Sequence, residues 1–220
     1  MGRRNSAEQR KRKTAVCVKR AFCLAAAAIC LLLSGCSRNE LENNAFPLAL
    51  GIETDADQQF HMYAAYPNLQ SKDALDNALS SDLYWDGTME DLLEGTALMS
   101  AGSSRNVNLN HLKVLILNRE ILDGQEEKDQ LVEFFREKRD AAWNSYVILC
   151  DGEMENIFSG DLQLNTCLGI YLEELLEGWT NLKSGTLITV GDLMSQYYNG
   201  DQILLVPVVT VEENRPIVKQ

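Results

Sequence analysis

The chain has 220 residues, with 20 Lys and Arg against 32 Asp and Glu, and a formal net charge of -12. So acidic a chain repels phosphate backbones and anionic headgroups, which argues against nucleic-acid binding. The bases are unevenly placed: residues 1–20 hold eight of them beside a single acid, Glu8.

Residues 21–33 follow without a charged or strongly polar side chain. A basic segment, a short apolar run and small residues before a cut describe a secretory signal peptide. The run is shorter than the roughly 20 residues a membrane-spanning helix needs. Leu33-Ser34-Gly35-Cys36 then reads as a bacterial lipobox. In that pattern diacylglycerol is attached to the Cys36 thiol, residues 1–35 are cleaved away, and Cys36 becomes the N-terminus. Two acyl chains hold a protein on a bilayer stably, whereas one holds it marginally. Cys36 is therefore the expected lipidation site. Without residues 1–35, 12 bases face 31 acids, a net charge near -19. Acyl chains, not a basic patch, are expected to hold this protein to its membrane.

Six cysteines are present; Cys17, Cys23 and Cys30 would leave with the signal, and Cys36 is the anchor. Cys150 and Cys167 remain, and two cysteines at that spacing make neither a disulfide framework nor a zinc site. Both are expected to be buried thiols.

Residues 36–45 are polar and read as a tether, and 46–220 read as the folded body. Phe46, Leu48, Leu50 and Ile52 alternate, as do Phe60, Met62, Ala64 and Tyr66, around Thr54-Asp55-Ala56-Asp57; this is a β-hairpin pattern. Asp55-x-Asp57 lacks the glycine and closing glutamate of a calcium loop, so it reads as a solvated turn. Residues 67–87 read as a punctuated loop with Trp85 as its largest apolar group. A helix is predicted from a Thr88/Asp91 capping box, with Met89, Leu92, Leu93, Thr96 and Ala97 on one face and Gly102 closing it. After a loop over 103–110, His111 introduces an apolar run over 112–117 that suits a strand covered on both faces. Asp123 and Glu126 signal a second helix start, with Leu131, Phe134 and Phe135 inward and an end near Arg139. A buried strand is predicted over 144–151, and a weakly helical stretch over 154–163. Leu168, Tyr171, Leu172, Leu175, Leu176 and Trp179 recur at helical spacing, the cleanest amphipathic helix of the chain. Thr189 and Asp192 cap a short helix carrying Leu193, Met194 and Tyr197. A last strand over 203–211 contains Pro207, which favours an edge or a bulge. This order implies an α+β fold, a mixed β-sheet with helices packed against it.

Enzyme signatures fail in turn. Histidine is the commonest acid-base group and metal ligand, yet only His61 and His111 are available, each in or beside a strand; acids are plentiful, but no spacing selects a catalytic pair of them. Lys183-Ser184-Gly185-Thr186 and Ser104-Arg105-Asn106 echo two motifs of penicillin-binding proteins. The third would supply the nucleophile as Ser-x-x-Lys, and no lysine after Cys36 has a serine three residues before it. No cofactor is implied.

The residues together resemble the Ger(x)C spore germination lipoproteins. Those open with a lipobox and a segment like Gly-Cys-Trp-Asp-Arg-Glu-Leu, then a strand ending Gly-Ile-Asp. Here the lipobox precedes Arg38-Asn39-Glu40-Leu41 and a strand ending Leu50-Gly51-Ile52-Glu53. The segment from His111 to Glu120 resembles the family's Gly-His-x-Lys-x-x-x-x-x-x-Glu, with Asn110 replacing the glycine, and Ser37 replaces the family's Trp. Phe134-Phe135-Arg136, a strand near 146–150, the helix ending at Trp179 and a Val-Leu-Pro-like strand at 203–209 follow in the family's order. The resemblance covers 36 to about 211, the family's N-terminal region alone. Typical members continue through a comparably long C-terminal region, so the chain is expected to be a short variant or a truncated product. The resemblance implies a non-catalytic subunit of a germinant receptor on the outer face of the spore inner membrane. It would assemble there with two integral membrane subunits, and only Cys36 carries over as a functional position. A generic lipid-anchored solute-binding or envelope protein is the competing reading, and a lipid-tethered hydrolase stands third.

Overall fold

The computed structural model describes residues 43–55, 57–67, 82–103, 105–138, 141–158, 162, 164, 166–183, 186–200 and 206–219. The chain divides into Met1–Leu41 and Glu42–Gln220, and every element below belongs to the second unit. The expected signal segment and Cys36 lie outside the described residues.

Nine strands are present among them: β1 Asn44–Ala45, β2 Ala49–Thr54, β3 Phe60–Pro67, β4 Asp82–Met89, β5 Asn106–Val107, β6 Val114–Leu117, β7 Tyr146–Cys150, β8 Val208–Glu212 and β9 Arg215–Lys219. The helices are α1 Gly95–Ser103, α2 Arg119–Asp123, α3 Gln125–Glu137, α4 Glu155–Phe158, α5 Leu168–Lys183 and α6 Val190–Asn199. Seven strands form one sheet in the order β4-β3-β2-β6-β7-β8-β9, and β1 pairs with β5 apart from it. Parallel pairs join β2, β6, β7 and β8, while β3, β4 and β9 run antiparallel to their neighbours. The fold is α+β with a mixed sheet.

Alternation along the strands feeds two cores. Leu50, Ile52, Met62, Leu115, Leu117 and Val147 point to one face, where Leu131, Phe134, Phe135, Leu193 and Met194 of α3 and α6 meet them. Ala49, Tyr63, Ala65, Val114, Ile116 and Ile148 point to the other, under Met154, Phe158, Leu168, Leu172 and Leu176. All four residues of β6 are fully buried, as a parallel strand covered on both faces requires. α4 lies near both β3 and β8.

Several expectations hold at the residue level. The hairpin pairs Leu50 with Ala64 and Ile52 with Met62. Thr189 and Asp192 form the reciprocal capping box of α6, and Gly200 ends that helix in the left-handed conformation at φ 70°. Leu168, Leu172 and Leu176 of α5 have no exposed surface, and Cys150 and Cys167 are unbridged.

Other expectations need correction. The stretch that reads as loop and helix start contains β4, which pairs with the whole of β3; Thr88 and Met89 are its last residues. Asp91 caps a 3-10 turn, Leu92–Glu94, by accepting the Leu93 N–H, and α1 begins after that turn. Asp123 is the last residue of α2 and not a cap; Gly124 stands at the start of α3 without a side-chain bond. The last strand does not finish the sheet. β8 lies between β7 and β9, so β9 takes the edge. Asn44 and Ala45, the end of the expected tether, are buried in β1.

Two substitutions test the seating of α5. Leu172→Ala removes a fully buried side chain and should cost about 2–5 kcal/mol in urea unfolding. A Cβ on Gly169 would stand 2.5 Å from the backbone of Leu48, so Gly169→Ala must push the helix off the strand start and should destabilise comparably. Losses below about 1 kcal/mol for both would mean that α5 does not pack as described.

Candidate functional site

Ligands of parallel sheets usually bind beyond the strands' carboxyl ends, so polar groups gathered there are the first place to look. After β2 the turn is organised by Asp55, whose Oδ1 accepts the backbone N–H of Asp57 and of Gln59, each at 2.9 Å. Gln58 completes it at φ 61°. Asp55 thus serves the turn, as its spacing suggests.

Beside that turn lies a chain of hydrogen bonds across three strands. The Tyr63 hydroxyl donates to Glu53 Oε1 at 2.7 Å and lies 3.1 Å from His61 Nδ1. His61 Nε2 in turn lies 3.3 Å from Asp86 Oδ2. The rings of His61 and Tyr63 stack at 4.3 Å, and Tyr63 stacks on Phe158 at 5.5 Å. Burial, and then Glu53, push the Tyr63 phenol well above its ordinary range, so it stays a protonated donor. These contacts link side chains of β2, β3 and β4. His111 lies at the opposite end of the sheet, edge-on to Phe46 at 5.0 Å, so the two histidines are not brought together.

The thiols are equally unsuited to nucleophilic work. Burial, Glu53 and Asp151 push Cys150 up to about 12, and its Sγ lies 3.5 Å from the Gly152 carbonyl. Burial and Asp82 push Cys167 up to about 11. Reactive cysteines have lowered values instead. Among the described residues no group of three His, Cys, Asp or Glu could hold a metal ion, and no helix is long and apolar enough to cross a membrane. The surface depression lined by Glu212, Glu213, Arg215 and Ile217 belongs to the β8–β9 hairpin alone. Ser104, Ser184 and Gly185 of the motif echoes lie outside the described residues.

Sequence reasoning missed Asp82, at the start of β4. Its Oδ2 accepts the Leu168 N–H at the head of α5 at 2.7 Å, and Tyr84 donates to the same oxygen at 3.4 Å. Its Oδ1 is buried without a partner. The signal was the alternation of Leu83, Trp85, Gly87 and Met89, which marks a strand where the punctuation suggested a loop.

The family described as spore germination protein N-terminal domain matches residues 37–211. The chain belongs to that family. No curated protein and no solved structure matches it. The germination-protein domain spans β1 to most of β8, so the paired cores described above are its cores.

Asp82 gives this domain a pH signature. Burial raises its pKa, outweighing the Leu168 N–H and Tyr84 bonds that lower it. An acid held higher in the folded state favours folding most below the ordinary carboxylate range, and loses that contribution as pH climbs through the range to the raised value. Asp82→Asn keeps an oxygen for the Leu168 N–H and cannot ionise. Its stability relative to wild type should therefore rise from pH 3 to pH 7. Asp82→Ala should cost about 1 kcal/mol through the lost helix acceptor. Parallel stability curves for Asp82→Asn and wild type would show an ordinary, solvated carboxylate.

Proposed function

We propose that this germination-family protein is a lipid-anchored, non-catalytic subunit of a nutrient-germinant receptor. Acyl chains on Cys36 hold it at the outer face of the spore inner membrane, and it works by assembly with the receptor's integral membrane subunits. The observation that carries this reading is the family match, which starts at Ser37, directly after the lipobox cysteine. A domain that begins where a lipoprotein signal would be cut is what a mature chain starting at Cys36 requires.

The chemistry of the body supports assembly over catalysis. Its polar network is closed on itself, and its two thiols are held protonated by burial. A surface this acidic repels copies of itself, so docking relies on apolar patches or on basic loops of a membrane partner. The sheet edge offered to such a partner is β9, not the strand before it.

Two experiments test the reading. Cys36→Ala should release the protein from the membrane fraction of sporulating cells; a variant as tightly membrane-bound as wild type, with its signal removed, would refute lipidation. The tagged wild-type chain, pulled down from solubilised spore membranes, should recover multi-spanning receptor subunits, and deleting its gene should impair germination. No co-purifying membrane subunit and unchanged germination towards every nutrient would leave a generic envelope lipoprotein as the better account.

A further inference from the structure

We propose, building on the assembly reading, that β4 is the edge where a partner protein adds a strand. The occupant is an extended segment with Lys or Arg at alternate positions and apolar residues between them. The sheet's two edges differ in the backbone they leave unbonded. At one edge, the Leu149 and Asp151 N–H groups donate to the Pro207 and Val209 carbonyls at 2.9 and 2.8 Å, so odd-numbered residues there face β7. Even-numbered residues of β8 then face β9, and the β8–β9 register leaves Pro216 and Val218 turned outward. Pro216 has no N–H, and the Tyr171 hydroxyl donates to its carbonyl at 3.4 Å. β9 thus gives a partner its side chains and a single outward N–H, that of Val218, with Arg215 and Lys219 flanking. Proline and lysine on an edge strand are common guards against strand addition.

β4 has no such guard. The Lys113 and Asn118 N–H groups donate to the Leu48 and Ile52 carbonyls at 2.9 and 3.3 Å, so even-numbered residues there face β6 and odd-numbered ones face β3. Carried through the β2–β3 and β3–β4 registers, the alternation bonds Leu83, Trp85, Gly87 and Met89 to β3. The N–H and C=O groups of Asp82, Tyr84, Asp86 and Thr88 then turn outward, and none has a backbone partner among the described residues. The strand is eight residues long and contains neither Pro nor Lys. An edge of that length with free donors and acceptors is what strand addition requires.

Side chains specify the occupant. Successive residues of β4 alternate between the sheet's faces. Asp82, Tyr84, Asp86 and Thr88 share one face, where the Asp86 side chain is 70% exposed. Glu53 and Glu155 join Asp86 in acting on the Tyr63 phenol, so that face is acidic beyond β4 itself. No Lys or Arg occurs in β3, β4, α1 or α4 to neutralise it. The other face is apolar: Leu83 is 46% exposed, and so is 41% of Leu98 on α1, which packs beside β4. A strand laid along this edge meets acids on one face and leucines on the other, and alternating basic and apolar side chains complement both. A second copy does not: pairing β4 with an antiparallel β4 gathers Asp82 and Asp86 of both copies on one face of the joined sheet, where like charges repel.

The test uses the full chain, as its host processes it, in detergent with two fluorescent peptides as long as β4. One peptide alternates Lys and Val, the other Glu and Val. Anisotropy reads binding, and hydrogen exchange reads the Tyr84, Asp86 and Thr88 amides. The Lys/Val peptide should bind and slow exchange at those three amides while leaving Val218 unchanged, and the Glu/Val peptide should not bind. Thr88→Pro removes an outward N–H and no bond to β3, and should weaken binding about tenfold. Asp86→Lys keeps every backbone group and should turn the preference towards the Glu/Val peptide. No binding, equal binding of both peptides, or binding indifferent to both variants would overturn the proposal. Slow exchange at the three amides in the free chain would overturn it too, since the chain itself or a second copy then covers the edge; sedimentation tells those apart. The peptides need no receptor, so the two readings fail separately. Peptide binding with no membrane subunit recovered from spores would refute assembly and leave the edge standing, and the opposite result would refute the edge alone.

Discussion

The fold depends on covering both faces of β6. Val114, Leu115, Ile116 and Leu117 have no exposed surface, and their side chains alternate between two separate cores. A strand that is apolar on both sides is stable only with a layer of structure on each. Its neighbours β2 and β7 run parallel to it. Parallel pairing cannot be closed by a tight turn and needs a long crossover. The helices between β6 and β7, and between β7 and β8, meet both needs at once: they carry the chain back to the strand start and they seal a face.

Several polar groups enter this scheme with partners supplied from elsewhere in the chain. The Ser145 hydroxyl is buried against two carbonyls. Tyr63 spends its proton on Glu53 across the hairpin. Asp82 shows the cost where a partner is missing, as it also is for the Tyr66 hydroxyl, Asn118 Oδ1 and Trp179 Nε1: one Asp82 oxygen holds the head of α5 while the other is buried unpaired. Burial then raises its pKa, and the domain carries a carboxylate that is easier to keep protonated than an ordinary one.

The same economy separates the surface into regions. Turns after β2 and β4 are built on acids whose carboxylates accept local N–H groups, as Asp55 and Asp91 do. Before β7 the polar group is instead the Ser145 hydroxyl, buried against the Leu112 and Ala142 carbonyls.

Much of the domain was legible in the residues themselves. Alternation gave the β2–β3 hairpin, the continuous apolar run gave β6, the helical stripe gave α5, and Thr189 with Asp192 gave the start of α6. Each is a local pattern whose partners are a few residues away or whose period alone states the burial. Tertiary structure decided what had distant or competing partners. β4 is a half-exposed edge strand, and Trp85 folds over Gly87 and Gly102, where an added Cβ would stand 2.8 Å from the indole at either position. That packing takes Thr88 and Met89 into the sheet and leaves Asp91 to cap the 3-10 turn that precedes α1. Asp123 lost its capping role to Gly124 because α2 and α3 divide between those residues. Asp82 reaches Leu168 across 86 residues, and no window of sequence contains both. The last strand read correctly as apolar, but only the hairpin at Glu213 and Asn214, both at positive φ, turned β9 back along β8 and moved the sheet edge one strand outward.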